Sequence, residues 1–416
     1  MGNTVPQLNR AEQWILIATP FVTGLLSSLG SITILYTLMR NKIRHKKTQS
    51  VKSRILACIC FADALHSLLY STWTMWIPSE DKYPFETIPG VYGNRASCRA
   101  RGFLMQVLGN MRQSYSGALA LYFVLSLRCN LSETAISKKY EPFMHLWAII
   151  FPISTAFTYF GLELFNASGV GCWIAPYPYL CHLNEEVQCT RGENAYTYAW
   201  AFTGIPVVFM DIVIVVCMFL TYQSVKYAYQ RAQRPIERAA AAGFIHPDDI
   251  EAAKRRYGGK IRQSGIQALL YSATYIFTHF FSFIPVAYEQ NHGPARFWML
   301  FLYFLLDPLH GFYNVAIFLR PTIHTIQQRE KNGSFLHAVY LAIFYNDEHL
   351  DQLSFRFGRP STEFGGSRSF RLGVLTKKEM NQDSNNNTSE LRAEMRETGG
   401  NKARKAEETG ETSNTG

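Results

Sequence analysis

Apolar residues in this chain come in long unbroken runs, unlike the alternation of a half-buried strand or the narrow stripe of a surface helix. The first run, residues 14–39, has 26 positions without one Asp, Glu, Lys or Arg. About 20 helical residues cross a bilayer core of about 30 Å, so this run predicts a membrane span. It begins after only 13 residues and is too long for a cleavable signal core, so it is expected to remain as the first helix. Further spans are expected at about 55–77 with Asp63 inside, 102–127 with Arg112 inside, and about 143–165 with Glu163 near one end. The last three are about 196–222 with Asp211, about 264–287 with no formal charge, and 297–319 with Asp307. The pattern predicts an all-α membrane protein, a seven-helix transmembrane bundle, over residues 14–319.

Residues 320–345 read as a juxtamembrane amphipathic helical segment, because the apolar run 335–345 has only 11 residues, too few to span. From 346 to 416 the composition turns to Ser, Thr, Asn, Gly, Lys and Glu, which predicts a disordered tail.

Charge then orients the bundle. Of 72 charged side chains, 23 fall in residues 346–416 and 13 in 223–262, which is why an ordinary-looking 17% charged composition hides membrane spans. Cytoplasmic loops collect Lys and Arg. Residues 40–54 carry seven basic side chains and no acid, 128–142 carry three, and 223–262 carry nine; the alternate loops carry seven in all. Residues 1–13 are therefore expected outside and the tail inside. The net charge of +10 resides in the inner loops, and nucleic acid is not an expected partner.

Four cysteines, Cys98, Cys172, Cys181 and Cys189, fall in loops expected outside, an oxidising side where disulfides form. Four allow three pairings; Cys98 with Cys172 would tie the second exterior loop over the bundle, and Cys181 with Cys189 would close a local ring. The sequon at Asn166 lies on the same side and is a candidate glycosylation site.

Ionisable groups inside a membrane are costly. Asp63, Arg112, Asp211 and Asp307 are therefore candidates for one intramembrane polar network, with Asp63 and Asp307 the expected partners of Arg112. Pro152, Pro206, Pro285 and Pro308 mark kinks, since each removes a backbone hydrogen bond. Pro285, Pro308, Gly311 and Asn314 are candidate hinge or switch residues.

Several short motifs now acquire a common meaning. They are Cys98 with Gly102-Phe103 and Gln106, Cys172-Trp173-Ile174, and Leu309-His310-Gly311-Phe312-Tyr313-Asn314. Arg54-Ile55-Leu56, Phe61-Ala62-Asp63-Ala64-Leu65, and Trp147 followed by Pro152 join them. In order and position they resemble the cyclic-AMP-receptor-like G-protein-coupled receptors, at the border of the secretin/adhesion group, over about residues 14–330. Tyr115 and His310 stand where that family often has Trp and Gln, and the inner end of the third span reads Leu127-Arg128-Cys129. The Asp-Arg-Tyr and Asn-Pro-x-x-Tyr motifs of rhodopsin-like receptors are missing.

The resemblance implies a plasma-membrane receptor, not an enzyme, that needs no cofactor or metal. An extracellular ligand would bind between the outer ends of the spans and a heterotrimeric G protein at the inner face. Arg128, Arg231, Lys254, Arg255 and Arg256 are the candidate coupling residues, and the inner basic residues also suit anionic membrane lipid. A short helix is expected from Pro247 to a stop at Gly258-Gly259. Serines and threonines of the tail would serve a kinase or an arrestin-like partner. Residues 295–320 contain no Lys to hold retinal as a Schiff base. A secondary transporter using the intramembrane Asp and Arg residues is the alternative, although the two halves show no repeat.

Overall fold

A computed structural model describes residues 8–45, 49–80, 88–168, 171–183, 187–241, 247–329 and 334–344. The chain divides into Met1–Leu353 and Ser354–Gly416; the second unit, and with it the expected disordered tail, lies outside the described residues.

The first unit is a helix bundle. Its spans are α1 (Arg10–His45), α2 (Val51–Ser71), α3 (Arg95–Leu127) and, after the short α4 (Glu133–Lys139), α5 (Glu141–Gly161). A hairpin of β1 (Phe165–Ser168) and β2 (Gly171–Ile174) follows, antiparallel with Asn166 opposite Trp173. The fifth span joins α6 (Ala195–Ala199), a π turn at Trp200–Gly204 and α7 (Ile205–Ala241). The sixth joins α8 (Pro247–Phe280) and α9 (Phe283–His292). The seventh joins α10 (Phe297–Leu306), a 3-10 turn at Asp307–Leu309 and α11 (His310–Arg329), and α12 (Phe335–Phe344) packs back on α11.

Among the described residues six helices are long and apolar enough to cross a membrane, and α3 is not one of them. The reason is its position. It packs against α2, α5, α7, α8 and the hairpin, and between residues 101 and 127 only Leu104 and Leu121 are exposed. A helix that meets protein on all sides can carry Arg, Gln and Asn that a lipid-facing helix cannot. α7 shows the reverse: Ile205, Val208, Phe209, Ile212, Val216 and Phe219 recur at helical spacing and all point outward.

Prolines break the spans less than their chemistry suggests, because neighbours take the freed carbonyls. Pro20 leaves Leu16 without its helical donor, and Trp73 Nε1 donates to that oxygen at 3.3 Å. Pro308 frees the carbonyl of Phe304, and Thr23 Oγ1 lies 3.1 Å away. Pro321 frees Ile317, whose oxygen accepts from Gln267 Nε2 at 3.4 Å. α11 therefore runs through Pro321 to Arg329, correcting the expected helix end at residue 319. Pro206 instead follows the π turn, where the Ile205 N–H reaches back to Trp200.

Two further expectations need correcting. Gly258-Gly259 do not end a helix, since α8 continues through them into the sixth span. Two glycines cost about 2 kcal/mol of helix propensity, less than the stabilisation a long packed span provides. Glu163 lies past the end of α5, in a left-handed turn, and its carboxylate faces Arg95 at 3.1 Å. The short helix Phe335–Phe344 packs on α11, and Arg40 Nη1 donates to the Ile343 carbonyl at 2.6 Å and caps α12.

Trp73→Phe should lower stability by about 1 kcal/mol by removing the donor to Leu16. In a Pro20→Ala background the same change should cost less, because residue 20 then supplies its own N–H. Thermal unfolding of the four proteins in detergent tests this, and equal costs in both backgrounds would reject it.

Candidate functional site

Both disulfides sit at one end of the bundle. Cys98, in the first turn of α3, joins Cys172 of β2, and Cys181 joins Cys189. Asn94 starts α3 with a capping box, its side chain accepting from the Ser97 N–H while Ser97 Oγ accepts from the Asn94 N–H. The helix start and the hairpin are thus locked together, and the hairpin forms a lid.

Beneath the lid lies a cavity of about 130 Å³. α3 supplies one wall, with Arg101, Met105, Gly109 and Arg112 in line at helical spacing. Tyr70 of α2, Trp173 of β2, Trp200 and Thr203 of the π turn, Phe283 of α9 and Tyr303 of α10 close the others. Gln106 fixes the upper wall, donating to Thr203 Oγ1 at 2.9 Å and accepting from Trp173 Nε1 at 3.2 Å. Trp200 Nε1 donates to Gln290 Oε1 at 2.7 Å. At the rim, outside the spans, burial pushes His182 below its ordinary range, opposed by the Gln290 carbonyl beside it.

The floor is charged. Arg112 Nη2 lies 3.0 Å from Asp307 Oδ1 and Nη1 3.5 Å from Asp63 Oδ1, so one guanidinium joins the second, third and seventh spans. All three side chains are buried. Ser31 of α1 donates to Asp63 at 2.7 Å, and Ser282, at the break between α8 and α9, donates to Asp307 Oδ1 at 3.0 Å. His310 Nδ1 is 3.2 Å from Asp63 and His279 Nδ1 is 3.5 Å from Asp307. One arginine thus faces two carboxylates, and two imidazoles lie against the same pair.

The breaks in the sixth and seventh spans belong to this cluster. Pro285 is in the first turn of α9, and the carbonyl it leaves unpaired is that of Phe281, at the break itself. At Pro308 the helix tightens to a 3-10 turn, and the Gly311 N–H donates to Ser27 Oγ at 2.8 Å. The Asp307 carbonyl that would have received it lies 3.4 Å from Arg112 Nη1. Gly311 has a packing reason as well, since a Cβ there would overlap the Asp63 carboxylate and the Ser31 hydroxyl. Asn314 Nδ2 lies 3.3 Å from His310 Nδ1, one turn further on.

Three single residues sit otherwise than the sequence pattern predicts. Asp211 is half-buried on α7, makes no ion pair among the described residues, and its Oδ1 has no hydrogen-bond partner. Asn166 is not the exposed sequon expected: its amide is buried, Nδ2 donates to the carbonyls of Glu163 and Ala175, and Oδ1 accepts from Arg191. Arg101 is not an exterior-loop charge but a buried member of α3, with Nη1 donating to the Cys172 carbonyl at 2.8 Å.

At the opposite end, Arg128 and Arg231 are exposed, whereas the side chains of Lys254, Arg255 and Arg256 lie outside the described residues. A clasp at this end carries no local sequence signal. Arg54 binds Glu141 through Nε at 2.6 Å and Nη2 at 2.5 Å, with Ser137 donating to the same carboxylate at 2.8 Å. Lys52 Nζ donates to Gln267 Oε1 at 2.8 Å and ties α2 to α8. Charge alone marked Arg54 and Lys52 as topology signals; nothing local showed that α5 and α8 bring them partners.

Arg112→Met is expected to destabilise the protein by about 3–5 kcal/mol because it leaves buried carboxylates unpaired. Adding Asp307→Asn should restore part of that loss, while Asp211→Asn should stay within about 0.5 kcal/mol. Thermal unfolding of the purified variants reads all three. For Asn166, glycosidase treatment should leave gel mobility unchanged, and Asn166→Gln should cost about 1–3 kcal/mol through unsatisfied buried partners. A mobility shift lost in Asn166→Gln would reject the buried amide.

No protein-family model and no curated protein matches the chain. Among solved structures it is similar to squid rhodopsin, with a TM-score of 0.52 and 13% identity over 86% of this chain and 95% of that one. At that identity the likeness establishes the fold alone: a multi-pass, seven-helix membrane bundle like that of squid rhodopsin.

Proposed function

We propose that the chain is a G-protein-coupled receptor of the cyclic-AMP-receptor-like kind, with its disulfide end outside the plasma membrane. A ligand enters the cavity under the hairpin, and a heterotrimeric G protein engages the opposite face. The observation that carries this reading is the shared floor. Arg112, Asp307 and Ser282 line the cavity and also hold the breaks of the sixth and seventh spans together. A ligand that contacts this floor acts on the residues that set the angle between the two halves of each broken span.

The ligand shifts the bundle only by binding one arrangement better than the other. In the arrangement favoured without ligand, Ser282 and Arg112 keep the sixth and seventh spans against the third, and Gln267 keeps the far end of α8 against α2 and α11. Loss of the Ser282 and Gln267 contacts frees the sixth span to swing outward. The inner surface that opens is lined by the exposed Arg128 and Arg231, with Lys254, Arg255 and Arg256 as further coupling residues and anionic lipid as their neighbour. The tail would recruit a kinase or an arrestin-like partner. The protein carries out no covalent chemistry in this cycle.

Expression with G-protein dissociation sensors and screening of ligand pools is expected to give a ligand-dependent response. Gln267→Leu, which removes the tie to Lys52, should raise the signal without ligand. Solute uptake in the same cells with silent sensors would favour the transporter reading instead.

A further inference from the structure

The cavity has a second charged end, which the ion cluster does not use. Arg101 is 1% exposed and lines the cavity below the lid. Its Nη1 donates to the Cys172 carbonyl at 2.8 Å, its Nη2 is 3.5 Å from the Leu69 carbonyl, and its Nε has no partner. Gly171, with φ of +98°, leaves room for it, since a Cβ there would sit 2.9 Å from Nη1. Among the described residues no carboxylate pairs with Arg101, and the charges on the floor are already engaged with each other. A buried guanidinium without a counter-ion is strongly unfavourable, and two carbonyl contacts do not neutralise it.

Other features of the same cavity agree. Asn110 Nδ2 is a buried donor without a partner, and so is His66 Nδ1 in one of its tautomers. Both residues line the cavity, so its α2 and α3 walls offer donors to an acceptor-bearing guest. Facing them, Trp200, Phe283 and Val286 are apolar. At the floor Arg112 is already paired with Asp307 and Asp63, which leaves Arg101 as the cavity-lining guanidinium without a carboxylate partner among the described residues.

Size narrows the class. A volume of about 130 Å³ is close to the roughly 150 Å³ of a cavity that admits benzene, and below the roughly 300–1,000 Å³ of pockets for drug-sized ligands.

We propose that the cavity binds a small organic monocarboxylate, its carboxylate on Arg101 and its apolar body against Trp200 and Phe283. This rests on the cavity being the ligand site of the proposed receptor, but not on coupling to a G protein.

The test is binding to the purified full chain in nanodiscs, read by thermal unfolding and calorimetry. The probes are benzoate, 3-phenylpropanoate and hexanoate, each paired with its neutral primary amide, and cyclic AMP. At least one acid is expected to stabilise the protein and to bind roughly tenfold or more tightly than its amide, as a charge-assisted bidentate contact requires. Arg101→Gln should abolish the preference for acid over amide, and Arg101→Lys should keep part of it. Should Arg101→Gln fail to fold, the acid and amide pairs on the unaltered protein decide the matter alone. Equal binding of acid and amide, no stabilisation by any acid, an acid preference that persists in folded Arg101→Gln, or cyclic AMP binding more tightly than every acid would each overturn the proposal. Carboxylate binding with silent G-protein sensors would support it and count against the receptor reading, so the two fail separately.

Discussion

Arg112 is the point on which the bundle turns. Its guanidinium is enclosed by protein about midway along the third span, and burial of a single charge in such a place is sustained only by opposite charges within reach. Asp63 and Asp307 supply them, from helices far apart in sequence. Once those contacts are made, the second, third and seventh spans have a fixed rotation and depth relative to one another. The first span follows through Ser31 and the sixth through Ser282, because each aspartate has lone pairs left over and a serine hydroxyl satisfies one.

That cluster also explains why broken helices are tolerated beside it. In lipid an unpaired carbonyl has no water to turn to. Here the freed carbonyls of Leu16, Phe304 and Ile317 meet Trp73, Thr23 and Gln267, each from another helix. The Asp307 carbonyl, abandoned by Gly311, faces the guanidinium itself. Proline in this bundle therefore adds connections between spans as much as it weakens a span. The compensation is concentrated near the ion cluster and the ends of the bundle, while α7, with its broad lipid-facing stripe, carries its irregularity in a π turn next to the cavity.

The two ends of the cavity differ for a reason that lies in local chain geometry. The floor is built from side chains on rigid helices and is internally paired. The roof is a two-stranded hairpin held by the Cys98–Cys172 disulfide, and it presents backbone carbonyls, to one of which Arg101 donates. Neutral carbonyls orient a guanidinium without cancelling its charge. The polarity of the cavity thus arises from what each end is made of: helices bring acids to one end, a lid brings peptide groups to the other.

By itself the sequence determined how many times the chain crosses, where its charge lies and which residues are expensive to bury, because hydropathy and charge act along the chain within about one helix length. Asp63, Arg112 and Asp307 were legible as a network on that ground, and Cys98, Cys172, Cys181 and Cys189 as bonded cysteines. The tertiary structure decided which expensive residue meets which. Asp211 looks no different from Asp307 in sequence, yet Asp307 pairs with Arg112 and Asp211 makes no ion pair among the described residues. Asn166 reads as an exposed sequon until β2 and Arg191 close over it, and Arg101 reads as a loop charge until the hairpin buries it. Gly258-Gly259 reads as a helix stop and residue 319 as a span end, and the span's packing and the Gln267 donor at the carbonyl freed by Pro321 override them. The physical reason is the same in each case: burial and pairing are properties of neighbours brought by other segments, and no local pattern records which segment will arrive.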